Sequence, residues 1–256
     1  MYFVPDSQLI FPCVFLLGID RIQHPTRMYK ECFELLCKYC DYLVLPSNIL
    51  DFNNLIINKF NRFLSHIESE IQKARSRGFS EEQFYRSTES LLTTFDYGDL
   101  MTYWKNKKGF FWTLASMDHF IARRKLLKLT NENMGIFNKI CEDHEVIFSE
   151  EEQKLSEILY QIIRDLQKKG QIKSSANESD LTILSDCLIF NGKRFHEGVM
   201  YLVTGDNELF GATNEIVEKP RLILDCLGFT EKIVGFRPLK PDKFIEDFKK
   251  HRTPNN

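Results

Sequence analysis

Between Ser179 and Leu209 the chain places one aspartate at the start of a helical segment and another at the end of a strand. Asp180 opens an apolar segment of helical spacing: Leu181, Ile183, Leu184, Cys187 and Leu188. A short polar link with Gly192 and Gly198 follows, and the compact apolar run Met200-Tyr201-Leu202-Val203 then closes on Thr204-Gly205-Asp206. In a parallel α/β sheet the carboxyl ends of strands and the starts of the following helices share one edge, where ligands bind. Two acids brought to that edge by such different elements belong to one site, and the rest of the chain can be searched for further members.

From the amino terminus, Tyr2-Phe3-Val4 reads as a short strand running into Pro5-Asp6-Ser7. Leu9 to Leu17 is apolar throughout, with Gly18 and Pro25 in the loop after it. Met28 to Tyr39 has helical periodicity, and Tyr42 to Leu45 reads as a second strand ending at Pro46. Ser47 is placed to cap a helix beginning near Asn48. Ile49, Phe52, Leu55, Ile56, Phe60, Phe63, Leu64, Ile67 and Ile71 then predict one long amphipathic helix to about Arg77, packed in the core or on a dimer surface. Asp51 lies in its first turn, off the apolar stripe. Ser80-Glu81-Glu82-Gln83 and Ser149-Glu150-Glu151-Glu152 are capping-box signatures. Lys173 to Ser179 is polar and turn-like. Leu222 to Leu227 and Lys232 to Phe236 are short apolar runs, the last closed by Arg237-Pro238-Leu239-Lys240-Pro241. Asp242 to Lys250 reads as a terminal helix. This order predicts an α/β fold with a parallel sheet and a helical block of roughly ninety residues inserted near the middle.

Of the 256 residues 43% are hydrophobic, enough for a large core, and the formal net charge of -2 argues against coating nucleic acid by bulk charge. The seven cysteines are scattered. Cys32, Cys37 and Cys40 fall in a helical pattern and read as small core residues rather than a zinc site. The start lacks the basic region of a secretory signal, and no apolar run approaches the length of a membrane helix, so a soluble cytoplasmic protein is expected, with no membrane contact.

Four acids share one placement rule. Asp6 follows the first strand, Asp51 lies in the first turn after the second, Asp180 opens a helix, and Asp206 follows the strand Met200–Val203. Clustered carboxylates repel unless a cation holds them, and hard oxygen ligands suit Mg²⁺ or Mn²⁺. Such an ion can bind a phosphate oxygen and lower the pKa of water, so the chemistry expected is phosphodiester hydrolysis.

Four blocks resemble the PIN-domain nucleases. FVPDSQLI is similar to the first strand of that family with its leading Asp, and LPSNILDF to the second acidic block, where Glu is usual and Asp51 stands here. NESDLTIL is similar to the third block, YLVTGDNEL to the fourth, and IVGFRPLKPDKFI to the last strand and tail. The blocks cover roughly the first 60 and the last 80 residues. The resemblance implies a three-layer sandwich with a central parallel sheet formed by residues 1–60 and 146–256, with residues 61–145 as a helical insertion packed on it. It implies a metal-dependent endoribonuclease acting on single-stranded or looped RNA. Asp6, Asp180 and Asp206 would hold the principal Mg²⁺ or Mn²⁺ and Asp51 would complete the negative pocket. Ser7 and Thr204 would support substrate by hydrogen bonds, with Glu178 and Asn207 near enough to contribute. Family members include toxins paired with an antitoxin, although the long middle of this chain departs from a minimal toxin. Two other readings stay open: a catalytically weak PIN-like module binding RNA or a protein partner, and a nuclease acting on DNA.

Each acid also has a structural reading. Asp180 and Asp51 could favour helix starts, Asp6 could cap the next helix, and Asp206 could be a turn residue. Asp186 rivals Asp180 but stands six residues on, off its face. The aromatic and basic stretch Tyr103–Lys128, with Arg123 and Arg124, reads either as an RNA surface or as a helix pair with a core face and a solvated face.

Overall fold

The computed structural model describes residues 1–16, 19, 22, 24–95, 97–195, 198–221, 223 and 235–252. Four short strands, β1 (Tyr2–Pro5), β2 (Asp41–Tyr42), β3 (Met200–Val203) and β4 (Phe236–Leu239), form one parallel sheet in the order β2-β1-β3-β4. Tyr2 stands opposite both Asp41 and Met200, Pro5 opposite Val203, and Val203 opposite Leu239. The rest is mostly helical: α1 (Ser7–Phe15), α2 (Thr26–Tyr39), α3 (Pro46–Asp51), α4 (Asn58–Arg77), α5 (Glu81–Thr94), α6 (Gly98–Ala115), α7 (His119–Cys141), α8 (Glu150–Lys168), α9 (Glu178–Arg194), α10 (Asn207–Glu218) and α11 (Pro241–Arg252). No described helix is long and apolar enough to cross a membrane.

Strand alternation divides the core between the two faces of the sheet. Phe3 and Val203 join α1, α2, α4 to α7 and α11 in one apolar cluster. Val4, Met200, Leu202 and Phe236 join α8 to α10 in the other. The block 61–145 contributes Phe84, Trp104, Phe111 and Phe137 to the same cluster as Phe3, Leu9 and Phe33. Its aromatics interlock with each other and with the rest of that core: Trp104 and Phe111 stack at 5.6 Å, and Phe137 lies on Phe52 at 3.8 Å. The aromatics Tyr103, Trp104 and Phe111 are therefore packing residues, while Lys105, Lys107, Arg123 and Arg124 are exposed.

Several expectations are corrected. The long helix is two helices joined by a π-helical segment, Phe52–Ile57, before Gly78 ends α4 in the left-handed region at φ 64. Ser47 is not the cap. The first helix already starts at Pro46, whose missing N–H suits a first turn, and Asn48 Oδ1 reaches back to Leu45 N at 3.0 Å. Strand β2 stops at Tyr42. Val44 instead bridges to Glu145, its amide donating to His144 O and its carbonyl accepting from Val146 N, so residues after α7 cover that edge. Arg237, Pro238 and Leu239 belong to β4 rather than closing it. Proline is tolerated there because β4 is an edge strand and needs no second ladder. Apart from residues 223, 235 and 236, the apolar runs at 222–227 and 232–236 lie outside the described residues. Cys32 is buried as expected, but Cys37 is exposed and Cys40 half-buried. Both capping boxes form, at Ser80–Gln83 and Ser149–Glu152.

Asp186 has a structural role. It is buried, and its carboxylate accepts the amide of Ser47 at 2.9 Å and the hydroxyl of Ser156, tying α9 to α3 and α8. Asp186→Ala would leave the Ser47 amide buried and unpaired, at a cost of roughly 1–3 kcal/mol. Thermal denaturation should show a lower melting temperature for this variant, with Asp186→Asn losing less.

Candidate functional site

The order β2-β1-β3-β4 reverses direction between β1 and β3, and the crevice at the carboxyl ends of those strands is the place where open α/β sheets bind ligands. Asp6 follows β1 there and Thr204 follows β3. Asp6, Asp51, Asp180 and Asp206 all line one cleft of about 1380 Å³ at this place, with Ser7 beside them.

Each acid is held by a different device, and each device engages one carboxylate oxygen. Asp6 is buried, and its Oδ2 accepts the Thr204 hydroxyl at 2.8 Å. Its position before α1 is that of a cap, yet it makes no capping hydrogen bond. Asp51 Oδ1 accepts the Ser179 hydroxyl, which binds the end of α3 to the start of α9. Asp180 Oδ2 accepts Asn177 N at 3.1 Å, and Asn177 Oδ1 accepts Asp180 N, forming a reciprocal capping box. Asp206 Oδ1 caps α10 by accepting Glu208 N at 2.7 Å and Leu209 N at 2.9 Å. The second oxygen of each carboxylate has no hydrogen-bond partner, and none of the four is ion-paired, among the described residues. Asp180, which completes a capping box, and Asp206, which is a cap, are thus helix-terminus residues and cleft residues at once.

Supporting contacts fix the loops. Thr204 Oγ1 donates to Asp6 and accepts Asp206 N at 3.0 Å, so one buried hydroxyl sets both acids from behind the cleft. Lys240, just after β4, donates to Gly205 O, Asp206 O and Asn207 Oδ1. A Cβ on Gly205 would collide with the Tyr29 hydroxyl, so glycine lets Tyr29 close over this loop. The turn before Asp180 is fastened to α10, with Lys173 N donating to Glu215 and Ser175 N to Glu208, each within 2.8 Å. Asn48 Nδ2 donates to Pro5 O at 3.2 Å, placing α3 against the end of β1.

The electrostatics follow from burial and crowding. Desolvation, opposed by the Thr204 hydrogen bond and reinforced by Asp180, Asp51 and Asp206, pushes the Asp6 carboxyl up to about 7. Burial is also the main cause raising Asp180 to about 6, against its Asn177 hydrogen bond and with Asp206, Asp51 and Glu208 adding repulsion. Ser7 Oγ is buried and lacks a hydrogen-bond partner among the described residues.

Open oxygens on four carboxylates that line one cleft form a donor set suited to a hard divalent cation. Among the described residues no three His, Cys, Asp or Glu side chains stand close enough to grip one ion together. Mg²⁺ does not need that, since it keeps several waters and takes one or two carboxylates. The residues present therefore fit such an ion.

The other expected site residues lie elsewhere. Arg123 and Arg124 sit on the exposed side of α7 and do not line the cleft; Lys59 and Arg62 of α4 are its cations. Thr204 is behind the wall rather than in it. Glu178 points to Arg164 at 2.9 Å, and Asn207 serves Lys240. Asp186 is outside the cleft. Ser179, Asn177, Asn48 and Lys240 were not singled out from sequence. Their types are common at turns and caps, and only their distant partners give them their roles. No protein-family profile, curated protein or solved structure matches this chain.

Because folding raises the Asp6 pKa from 3.8 to about 7, the folded state favours the protonated form. Any contribution of this group is most favourable below about pH 4 and is lost as pH rises to about 7, where the charged carboxylate is buried. Asp6→Asn should therefore raise the melting temperature at pH 8, by several degrees if the effect is on the order of 2 kcal/mol. At pH 4 the difference should nearly vanish. Melting curves of both proteins without divalent ions across pH 4–8 measure it.

Proposed function

We propose that this chain is a divalent-metal-dependent nuclease of PIN-like type that hydrolyses phosphodiester bonds of single-stranded or looped RNA. The observation that carries the reading is that four aspartates, each anchored through one oxygen and open at the other, line one cleft at the strand-order reversal of a parallel sheet. A three-layer, PIN-like arrangement of the sheet with helices on both faces is part of the same proposal. The two apolar clusters, one on each side of the strands, support it.

One or two of Asp6, Asp180 and Asp206 would hold Mg²⁺ or Mn²⁺ through their open oxygens and the rest would act through the waters the ion keeps, with Asp51 completing the negative pocket. Bound there, the ion supplies charge neutralisation at a phosphate oxygen and a lowered pKa for water. Thr204 keeps Asp6 Oδ2 occupied, so that Asp6 presents Oδ1 to the cleft. Asp51 Oδ2 is free to accept a hydrogen from the attacking water and orient it. Lys59 and Arg62 supply the positive charge for the flanking phosphates, the role expected of Arg123 and Arg124. Protons compete with the ion at Asp6 and Asp180, so metal affinity in this reading increases from pH 5 to pH 8.

A second reading, a PIN-like module that binds RNA or a protein partner without cutting, is favoured by one observation. No three acids close on a common point among the described residues. Asp51, one methylene shorter than the Glu usual in the resembling family, acts in the same direction.

Cleavage of a mixed panel of RNA and single-stranded DNA with Mn²⁺ or Mg²⁺ tests the two. The nuclease reading expects cutting that EDTA abolishes. Thr204→Val should slow it by about 10–100-fold, as is usual for a partner behind a metal ligand, and Asp180→Asn should slow it more. DNA cut in preference to RNA would change the substrate assigned. Well-folded protein that neither cuts nor binds the ions would establish the binding module instead.

A further inference from the structure

The cleft continues beyond the acids. Its length along α4 is lined by Asn58, Arg62, Ser65 and His66, residues that recur on one helical face. At about 1380 Å³ it exceeds the roughly 300–1,000 Å³ of a small-molecule pocket, which suits a segment of polymer. Arg62 is exposed and has no hydrogen bond or ion pair among the described residues. One turn further on, His66 is held in place, its Nδ1 3.2 Å from the Tyr97 hydroxyl. The ring of Phe95 lies against it at 4.2 Å. Phe95 stands at the carboxyl end of α5, lines the cleft, and is 52% exposed. A phenylalanine half out of the core, braced on one side by an immobilised imidazole from the helix that also carries Arg62, has the make-up of a stacking platform.

We propose that the Phe95–His66 end of the cleft is a nucleotide subsite, in which Phe95 stacks on a base of a single strand and Arg62 binds the adjacent phosphate. The subsite deepens the nuclease reading and rests on it for the strand's continuation to the acids. It is assembled from α4 and the α5–α6 connection, within the helical block. Stacking on an aromatic face is indifferent to base identity, so this end of the cleft selects for an unpaired strand rather than for a sequence. A duplex, whose bases are already stacked on one another, is excluded.

The test is fluorescence anisotropy with the Asp180→Asn protein in EDTA, which prevents cutting and removes one repelling charge. The probes are a labelled octauridylate and an abasic ribose-phosphate octamer of equal charge. Phe95→Ala should weaken octauridylate binding by about 5–100-fold, in keeping with alanine substitution at other base-stacking aromatics, and leave the abasic oligomer unaffected. Phe95→Trp should retain binding, and Arg62→Gln should weaken both oligomers and reduce the salt dependence. The same Phe95 effect on a DNA oligomer supports the subsite equally, because the ring reads the base and not the sugar. No octauridylate binding, no change in Phe95→Ala, or an equal loss on both oligomers would overturn it. The outcome is separable from the cleavage assay. Phe95-dependent binding without metal-dependent cutting would leave the subsite standing in a binding module. Cutting that is indifferent to Phe95 would remove the subsite and keep the nuclease.

Discussion

The hydrogen bond from the Thr204 hydroxyl to Asp6 is the constraint on which the site depends. A hydroxyl has one proton to give and lone pairs to receive. Giving the proton to Asp6 Oδ2 leaves the oxygen to accept the Asp206 amide, so the two acids at the β1 and β3 ends are positioned by a single atom. The strand pairing makes this available. Pro5 stands opposite Val203, and the next residues along each strand, Asp6 and Thr204, continue the ladder through Asp6 N to Val203 O and Thr204 N to Leu239 O. Threonine has the right shape for a buried strand end and the one functional group that can serve both neighbours.

Carboxylates crowded at one place repel, and the core must hold them there. The fold does this with ordinary local devices. Asp180 is in a capping box, Asp206 caps a helix, Asp51 takes a serine hydroxyl, and Lys240 fastens the loop around Asp206 through backbone carbonyls rather than by pairing with a carboxylate. Had Lys240 neutralised an acid directly, one of the open oxygens would be lost to an internal ion pair. Capping and site membership are compatible because a carboxylate has two oxygens. One satisfies the helix terminus and the other remains for a ligand. A helix-start role for Asp180 or Asp206 therefore leaves an oxygen of the same residue open to the cleft.

Much of this was legible in the sequence, for definite reasons. Met200–Val203 is a short, wholly apolar run because it pairs on both sides and is covered on both faces, and its boundaries are those expected. The placement of the four acids followed from where strands end and helices begin, which periodicity reports well. Arg123 and Arg124 could not be placed from sequence, because charge density along the chain says nothing about which elements line the cleft, and no described residue of α7 does. The aromatics of α6 follow the packing alternative, since Trp104 and Phe111 are consumed by the core, while Phe95, in no recognisable pattern, is left exposed. Asn48 and Lys240 act over separations of 43 and 34 residues, and no local pattern announces such contacts.

The π-helical segment between α3 and α4 was the least visible feature, and it has the widest consequence. Phe52 and Phe60 are both fully buried in one cluster. At about 100° per residue, eight steps of an unbroken α-helix would place them roughly 80° apart, whereas absorbing one residue brings them within about 20°. A π-turn closes its bonds over five residues rather than four and takes up that extra residue. Spacings of three and four along Phe52 to Ile71 tolerate the slip, which is why the stripe reads as continuous. The π-turn keeps the apolar stripe of α4 in the core while Asp51, one residue before Phe52, faces the acids. Asn58 and Arg62 then emerge on the same cleft. The helical block is therefore set in phase with the acid cluster by the turn that joins them.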